Sequence, residues 1–524
     1  MYCQLDAIVT SSTQHFATKV ALDDNKRQLT YQQLDLEISQ FADCLIGLNL
    51  SKGTRIGIYL PKQVEAVISM FAASRAGLVF VPINPILKPQ QVAYIAQNCN
   101  IQLIITSCQR ANLLQPTISQ CPDLKHLILV DEKNYQGTLP YHHWHSLIES
   151  QAHNNSFQTR TSINYDLAAI LYTSGSTGQP KGVCLSHQNL IAGAQSVSHY
   201  LNNNSQDKIL AVLPLSFDYG LSQVTTSLMT GATLILMEYL LPRDVIRQVE
   251  KHQITGLAAV PPLWVQLAQL DWPESCKTTL RYITNSGGAM PKATLDLLQA
   301  QLPTTEPFLM YGLTEAFRST YLDPSHISSR PDSIGKAIPN AEILVVREDG
   351  TLCEDNEPGE LVHRGVHVSL GYWDAAEKTA TRFRPLNNNS HYLPENVVWS
   401  GDTVRRDEEG FLYFIGRKDD MIKCSGYRIS PSELEDILYQ LDSVAEVAAI
   451  GITDAQLGQA IMLIIKAKTD SLDETMVKKY CQQQLPNYMQ PKYIEFVAQL
   501  PRNPNGKIDR KTLTQHYNDH HNVE

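Results

Sequence analysis

The chain has 524 residues, 43% of them hydrophobic and 18% charged, with a formal net charge of -10. Such a length exceeds one simple core and predicts two or more domains. The acidic balance argues against a general nucleic-acid binder, though not against a small nucleotide site served by a few local cations. The first residues lack the basic and apolar segments of an export signal, and no apolar run approaches the roughly 20 residues of a membrane helix. The ten cysteines are scattered with no CxxC pair, the pattern of free thiols, and a cytoplasmic location is expected. His516, His520 and His521 read as a polar tail rather than a metal site.

In chain order, Thr30 is placed to cap the helix that follows it. Residues 55–60 read as a strand, 64–75 as a helix that stops before Gly77, and 78–83 as a second strand. Residues 90–97 then read as a helix and 101–106 as a strand. This alternation of β-rich apolar runs with helices predicts an α/β sheet covered by helices. Residues 167–172 form another short strand, which opens into Thr173-Ser174-Gly175-Ser176-Thr177-Gly178-Gln179-Pro180-Lys181-Gly182. Three glycines, four hydroxyl residues and a lysine in ten positions can wrap anionic oxygen with backbone N–H groups, hydroxyls and one cation. It is not a Walker loop, because Gly178 is not followed by Gly-Lys-Ser/Thr, and no hydroxyl follows Lys181 to hold Mg²⁺.

Further strands are expected at 209–215, 233–237, 256–260, 281–285 and 307–310, several ending in small or polar residues. Ligands collect at such carboxyl ends in open α/β sheets. From about residue 340 the texture changes to short antiparallel strands (341–346, 359–363, 410–414), predicting a β-rich subdomain over about 340–418. A final α+β module follows, its first helix announced by the capping box Ser430-Pro431-Ser432-Glu433. The expected division is 1–418 for a large domain and 419–524 for a small one.

The loop at 173–182 is joined, in order, by Tyr311-Gly312-Leu313-Thr314-Glu315, Ser400-Gly401-Asp402, Gly416-Arg417-Lys418-Asp419-Asp420, Gly426-Tyr427-Arg428 and Pro504-Asn505-Gly506-Lys507. The set resembles the adenylate-forming superfamily of acyl-CoA synthetases, nonribosomal-peptide-synthetase adenylation domains and luciferases. The likeness runs from Leu29 to Lys507. It implies a large domain of stacked α/β sheets with a small mobile α+β domain. It also implies a two-step reaction: a carboxylate attacks the α-phosphorus of ATP, giving acyl-AMP and pyrophosphate, and a thiol then displaces AMP.

By that resemblance Thr173, Ser174, Gly175, Ser176, Thr177, Gly178 and Lys181 cradle the β- and γ-phosphates, Thr314 bonds the α-phosphate, and Glu315 holds Mg²⁺. Tyr311 and Gly312, with Gly287 and Gly288, accommodate adenine. Asp402 accepts from the ribose hydroxyls, and Arg417 and Arg428 contact ribose or phosphate. Lys507 bridges carboxylate and α-phosphate in the first step. The small domain then turns about a hinge at Asp419 and replaces Lys507 with the face around Lys423 to Tyr427.

The acid is less legible. Many acyl- and aryl-CoA ligases carry a histidine where this chain has Phe217, and Asp218 follows. An aspartate after a phenylalanine resembles the amine-binding site of peptide-synthetase adenylation domains. Asp218 can equally be an N-cap or the partner of a protein cation, with Arg318 the candidate. Tyr219 and Trp264 are further pocket candidates. Leu313, where peptide synthetases usually have proline, points back to the CoA ligases, as does the run 421–431. The expected acceptor is therefore CoA, or alternatively the phosphopantetheine of a separate acyl or peptidyl carrier protein. A luciferase-like oxygenase and a non-catalytic nucleotide-binding module are the remaining readings; the latter is disfavoured by the presence of Glu315 and Lys507.

Overall fold

The structure is a computed structural model that describes residues 3–151, 157, 160–173, 179–290, 292–386, 395–417, 421–429, 431–441, 443–469, 472–501, 508 and 510–521. Among the described residues the strands form three sheets. The mixed α/β architecture, with large sheets first and a small one last, is the one expected from the sequence.

In the first sheet, Thr233–Leu236, Lys208–Ala211, Gly256–Ala259, Tyr282–Asn285 and Glu306–Tyr311 run parallel, side by side. Their burial on both faces explains their continuous apolar sequence. The strand beginning at Lys208 ends at Ala211, short of the expected 215, because Pro214 has no N–H to continue a ladder. The chain instead turns, with the Phe217 N–H bonded to the Pro214 carbonyl (3.1 Å), and enters the helix Asp218–Met229. The antiparallel strands expected after residue 340 are present, as Ala341–Val346, Gly359–Gly365, Val397–Arg406 and Leu412–Arg417. They are not detached from the first sheet. Ser333–Ala337 pairs with Leu412–Arg417 and carries the ladder across.

In the second sheet, Arg55–Tyr59 lies between Val79–Pro82 and Ile101–Thr106, all parallel. Leu167–Thr173 joins the far side of Val79–Pro82 and pairs antiparallel with Lys181–Ser186, Thr173 opposite Lys181. The described ends of the predicted phosphate loop, Thr173 and Lys181, thus face each other across a β-hairpin, and a strand rather than a helix begins at Lys181. The helix His187–Tyr200 starts only after the returning strand, with Ser186 and Asn189 forming its capping box. Thr30 likewise caps Tyr31–Gly47, with Gln33 completing the box. The capping serine expected at 430 lies outside the described residues.

The third sheet holds Ile422–Cys424, Tyr427–Ile429, Val444–Asp454, Gly458–Ala467 and Tyr493–Phe496. It packs its own apolar clusters, including Ile429, Leu434, Val447 and Leu463 on one side and Ile450, Met462 and Leu513 on the other. No helix among the described residues is long and apolar enough to cross a membrane. The cysteines are free thiols, and all but Cys3 are buried.

Three histidines are buried in the large core. His187 accepts the Leu5 N–H on Nδ1 (3.1 Å), which fixes it as neutral. His363 and His367 bond the hydroxyls of Ser319 and Ser196, at 3.0 Å each. Burial pushes His187 and His367 down to about 4 and His363 to about 3. The unfolded chain protonates these rings near pH 6.5 while the fold resists, so their contribution is fully present above that pH and is lost as pH falls toward 4. Between pH 7 and pH 5 each histidine should cost about 1–2 kcal/mol of stability. Urea melts across that range should show the loss, and His363→Gln should flatten the slope; a pH-independent midpoint would contradict these burial states.

Candidate active site

A cavity of about 410 Å³ opens where the three sheets meet. Each wall comes from a different part of the chain. The hairpin supplies Thr173 and Lys181; the start of the helix Asp218–Met229 supplies Asp218 and Tyr219; the loop after Glu306–Tyr311 supplies Gly312, Thr314, Glu315 and Arg318. Gly287 lines it after Tyr282–Asn285, and Gly426 and Tyr427 reach in from the third sheet. The carboxyl ends of the parallel strands therefore carry the site, as open α/β sheets require.

Glu315 is 7% exposed. The Tyr372 hydroxyl donates to its Oε1 at 2.6 Å, and Arg382 Nε stands 4.0 Å from the same oxygen. Burial, and then the Glu315 charge, push the Tyr372 phenol far above its ordinary value, so it remains a donor. Burial works against the charge on Arg382, but Glu315, Tyr372 and Asp402 around it raise its pKa overall. Lys181 Nζ lies 5.1 Å over the Tyr372 ring. Two cations, one carboxylate and one phenol thus stand together on the cavity wall.

Asp402 is buried, 1% exposed, and accepts the Tyr311 hydroxyl at 2.5 Å. The two predicted nucleotide contacts therefore support one another directly. Gly287 adopts φ +83°, a conformation that L side chains rarely take. Gly288 leaves the strand end beside Pro261 and accepts the Asn285 amide at 2.9 Å.

Asp218 is the first residue of its helix, and no side chain caps that helix. Its Oδ2 lies 3.6 Å from Arg318 Nη1, with both side chains buried. Of the readings open for Asp218, pairing with a protein cation is the one present in this structure. The Arg318 guanidinium also lies 4.6 Å over the Tyr219 ring. Trp264 is fully buried, its indole N–H shared between the Ala259 and Thr284 carbonyls, which is the environment of a core residue. Phe217 is half-buried and faces Tyr427 across the two parts of the chain, with ring centroids 6.3 Å apart.

Ser174, Gly175, Ser176, Thr177, Gly178, Asp419 and Lys507 lie outside the described residues, as do the side chains of Arg417 and Arg428. Tyr372 and Arg382 escaped the sequence reading. Tyr372 belongs to a two-residue strand paired to Lys181–Ser186, and Arg382 ends the short helix Ala376–Arg382. Neither carries a local signature; only the fold brings them to Glu315.

A family model described as AMP-binding enzyme matches residues 9–373. The chain belongs to the AMP-binding enzyme family. A second model, the AMP-binding enzyme C-terminal domain, matches residues 433–507. The chain is 28% identical to a long-chain-fatty-acid–CoA ligase of Escherichia coli O157:H7, covering 98% of this chain and 94% of that one. It is 29% identical to an L-proline–[L-prolyl-carrier protein] ligase of Pseudomonas fluorescens, covering 96% and 97%. Among solved structures, a double mutant of Bacillus subtilis o-succinylbenzoate CoA synthetase superposes with a TM-score of 0.82 at 25% identity, over 97% of both chains. An amide bond synthetase of Marinactinospora thermotolerans shares the fold, with a TM-score of 0.85 at 19% identity.

In this AMP-binding enzyme the Tyr372–Glu315 bond offers a direct test. Tyr372→Phe removes one hydroxyl and leaves the ring under Lys181. ATP turnover should fall about tenfold, the scale of one lost hydrogen bond to a charged group. Unchanged kinetics with ATP would show that the Tyr372 hydroxyl does not tune Glu315.

Proposed function

We propose that this AMP-forming ligase activates a carboxylic acid with ATP and passes the acyl group to the thiol of CoA. A substrate carboxylate oxygen attacks the α-phosphorus, and the bond from that phosphorus to the pyrophosphate oxygen breaks. The thiol sulfur then attacks the acyl carbon, the bond to AMP breaks, and the thiol proton is released. The difficulty of the first step is that one anion must reach another, so cations and fixed donors have to offset the charge.

The observation that carries this reading is the convergence of Lys181, Thr314, Glu315 and the Asp218–Arg318 pair on one cavity. Lys181 and the loop 173–178 hold the departing pyrophosphate, and Thr314 donates to the α-phosphate. Asp402, steadied by Tyr311, accepts from ribose, while Gly287, Gly288 and Gly312 leave room for the base; Arg417 and Arg428 complete the nucleotide contacts. Mg²⁺ fits Glu315: it binds through one or two carboxylates with substrate phosphates completing its shell, and this carboxylate is buried and oriented by Tyr372. The metal would supply charge neutralisation at the phosphates.

The chain divides at 418/419 in this reading, and the small part pivots at Asp419. The face presented to the cavity here is the turn between Ile422–Cys424 and Tyr427–Ile429. Ser425 and Gly426 both have positive φ, +52° and +80°, as a two-residue hairpin turn requires. That supports assigning this arrangement to thioester formation, with Lys507 serving the other one.

A second reading, transfer to the phosphopantetheine of a separate carrier protein, draws on the likeness to the prolyl-carrier ligase. It shares the first half-reaction and differs in the thiol that accepts.

Lys507→Ala should abolish ATP–pyrophosphate exchange while sparing thioester formation from supplied acyl-AMP. Equal loss of both half-reactions would refute the two-arrangement scheme. Gly426→Val should do the reverse, because a Cβ at Gly426 would meet Val260 at 2.8 Å and the φ of +80° resists a side chain. Adenylation should persist and thioester formation should fall at least about 100-fold if this contact defines the second pose.

A further inference from the structure

On the acid side the cavity wall reaches Arg318 and Tyr219, and the side chains packed around them are tightly engaged. The Tyr219 hydroxyl bonds Thr284 Oγ1 at 2.6 Å, and Thr284 in turn accepts the Trp264 indole N–H on its carbonyl. Tyr200 stacks on Tyr321 with ring centroids 4.2 Å apart, its hydroxyl 2.9 Å from Met310 Sδ. These contacts hold the aromatic side chains around Arg318 in place.

Arg318 is 2% exposed. Its Nη1 faces Asp218, but Nε and Nη2 are buried with no hydrogen-bond partner among the described residues. These two nitrogens share one edge of the guanidinium, the edge that grips oxygen acceptors side-on. Leaving such donors buried and unpaired is costly. The backbone holds them there by an unusual device. Phe317, a bulky residue, sits at φ +54°, a strained conformation that clusters at functional sites. Its ring packs so closely on the helix His187–Tyr200 that a Cβ at Gly193 would meet it at 2.2 Å. The next residue, Arg318, is thereby aimed across Tyr219 at the cavity.

We propose that the Nε/Nη2 edge of Arg318 selects the acid, recognising an acceptor oxygen (carbonyl, hydroxyl or second carboxylate) on the carboxylic acid in preference to an unsubstituted alkyl chain. The proposal rests on the adenylation reading above. Asp218, opposite Nη1, orients the guanidinium, so a substrate ammonium would have to compete with Arg318 for it. A neighbouring apolar cavity of about 250 Å³, lined by Leu60, Met70 and Leu215 beside Tyr427, is the place an alkyl chain would go instead.

The test is ATP–pyrophosphate exchange by the full chain with size-matched alkyl, hydroxy, oxo, dicarboxylic and amino acids, plus long-chain alkyl acids. One of the oxygen-bearing classes should exceed its alkyl match by at least about tenfold in kcat/KM, and the fastest arm identifies which oxygen is read. Arg318→Met should erase that preference, lowering the oxygen-bearing acid at least about tenfold more than its alkyl match. Asp218→Asn combined with Arg318→Met removes both buried charges together and repeats the comparison should the single variant misfold; the panel on the unaltered chain needs neither. Preference for long-chain alkyl acids, or for amine-bearing acids with loss in Asp218→Asn, overturns the proposal. Failure to exchange with every acid, in a chain that still shows a thermal shift with ATP, sinks the adenylation reading itself.

Discussion

The meeting of like charges is the constraint on which this structure depends. A carboxylate has to approach a polyphosphate inside a cavity where water no longer screens either. The fold gathers cations and donors from separate elements onto one cavity wall: Lys181 from a hairpin, Arg382 from a helix end, Arg318 and Thr314 from the loop after a parallel strand. Both arginines have a carboxylate neighbour. Glu315 sits by Arg382 and Tyr372, and Asp218 by Arg318. A buried charge left alone would be far more costly than one held in such a pair, so the site is assembled from partners rather than from isolated groups.

The same elements explain why the cavity is where it is. The segments that follow the parallel strands of the first sheet supply Asp218, Gly287, Thr314, Glu315 and Arg318 to one cavity. The hairpin of the second sheet brings Lys181 alongside, because Gly371–Tyr372 adds to that hairpin as a further strand and carries Tyr372 toward Glu315. The third sheet closes the remaining side with the Ser425-Gly426 turn, against Val260. Tyr427 stacks on Tyr488 at 3.8 Å, so the surface offered to the cavity is a rigid aromatic one.

Of the nucleotide contacts named from the sequence, Thr173, Lys181, Gly287, Gly312, Thr314 and Glu315 line one cavity. Gly-rich and hydroxyl-rich runs are visible in a sequence because a backbone that wraps anionic oxygen needs those residue types side by side. The acid side was legible only as a choice. Phe217 and Asp218 left amine binding and ion pairing equally open, and Trp264 was as good a pocket residue as a core one. The structure sets Asp218 beside Arg318 and the Trp264 N–H against the Thr284 carbonyl, neighbours distant in the chain that no local pattern could name.

By itself the sequence determined the α/β class, the helix cap at Thr30, the non-Walker character of the loop, and membership of an adenylate-forming family. These follow from local rules: periodicity, capping geometry, and motif spacing within one turn or strand. The tertiary structure alone decided three further things. Thr173 and Lys181 pair across a hairpin, the late antiparallel strands extend the first sheet, and Tyr372 and Arg382 gather at Glu315. The reason is physical: electrostatic partners are chosen by distance in space, and 2.6 Å between Tyr372 and Glu315 leaves no trace in residues 57 positions apart.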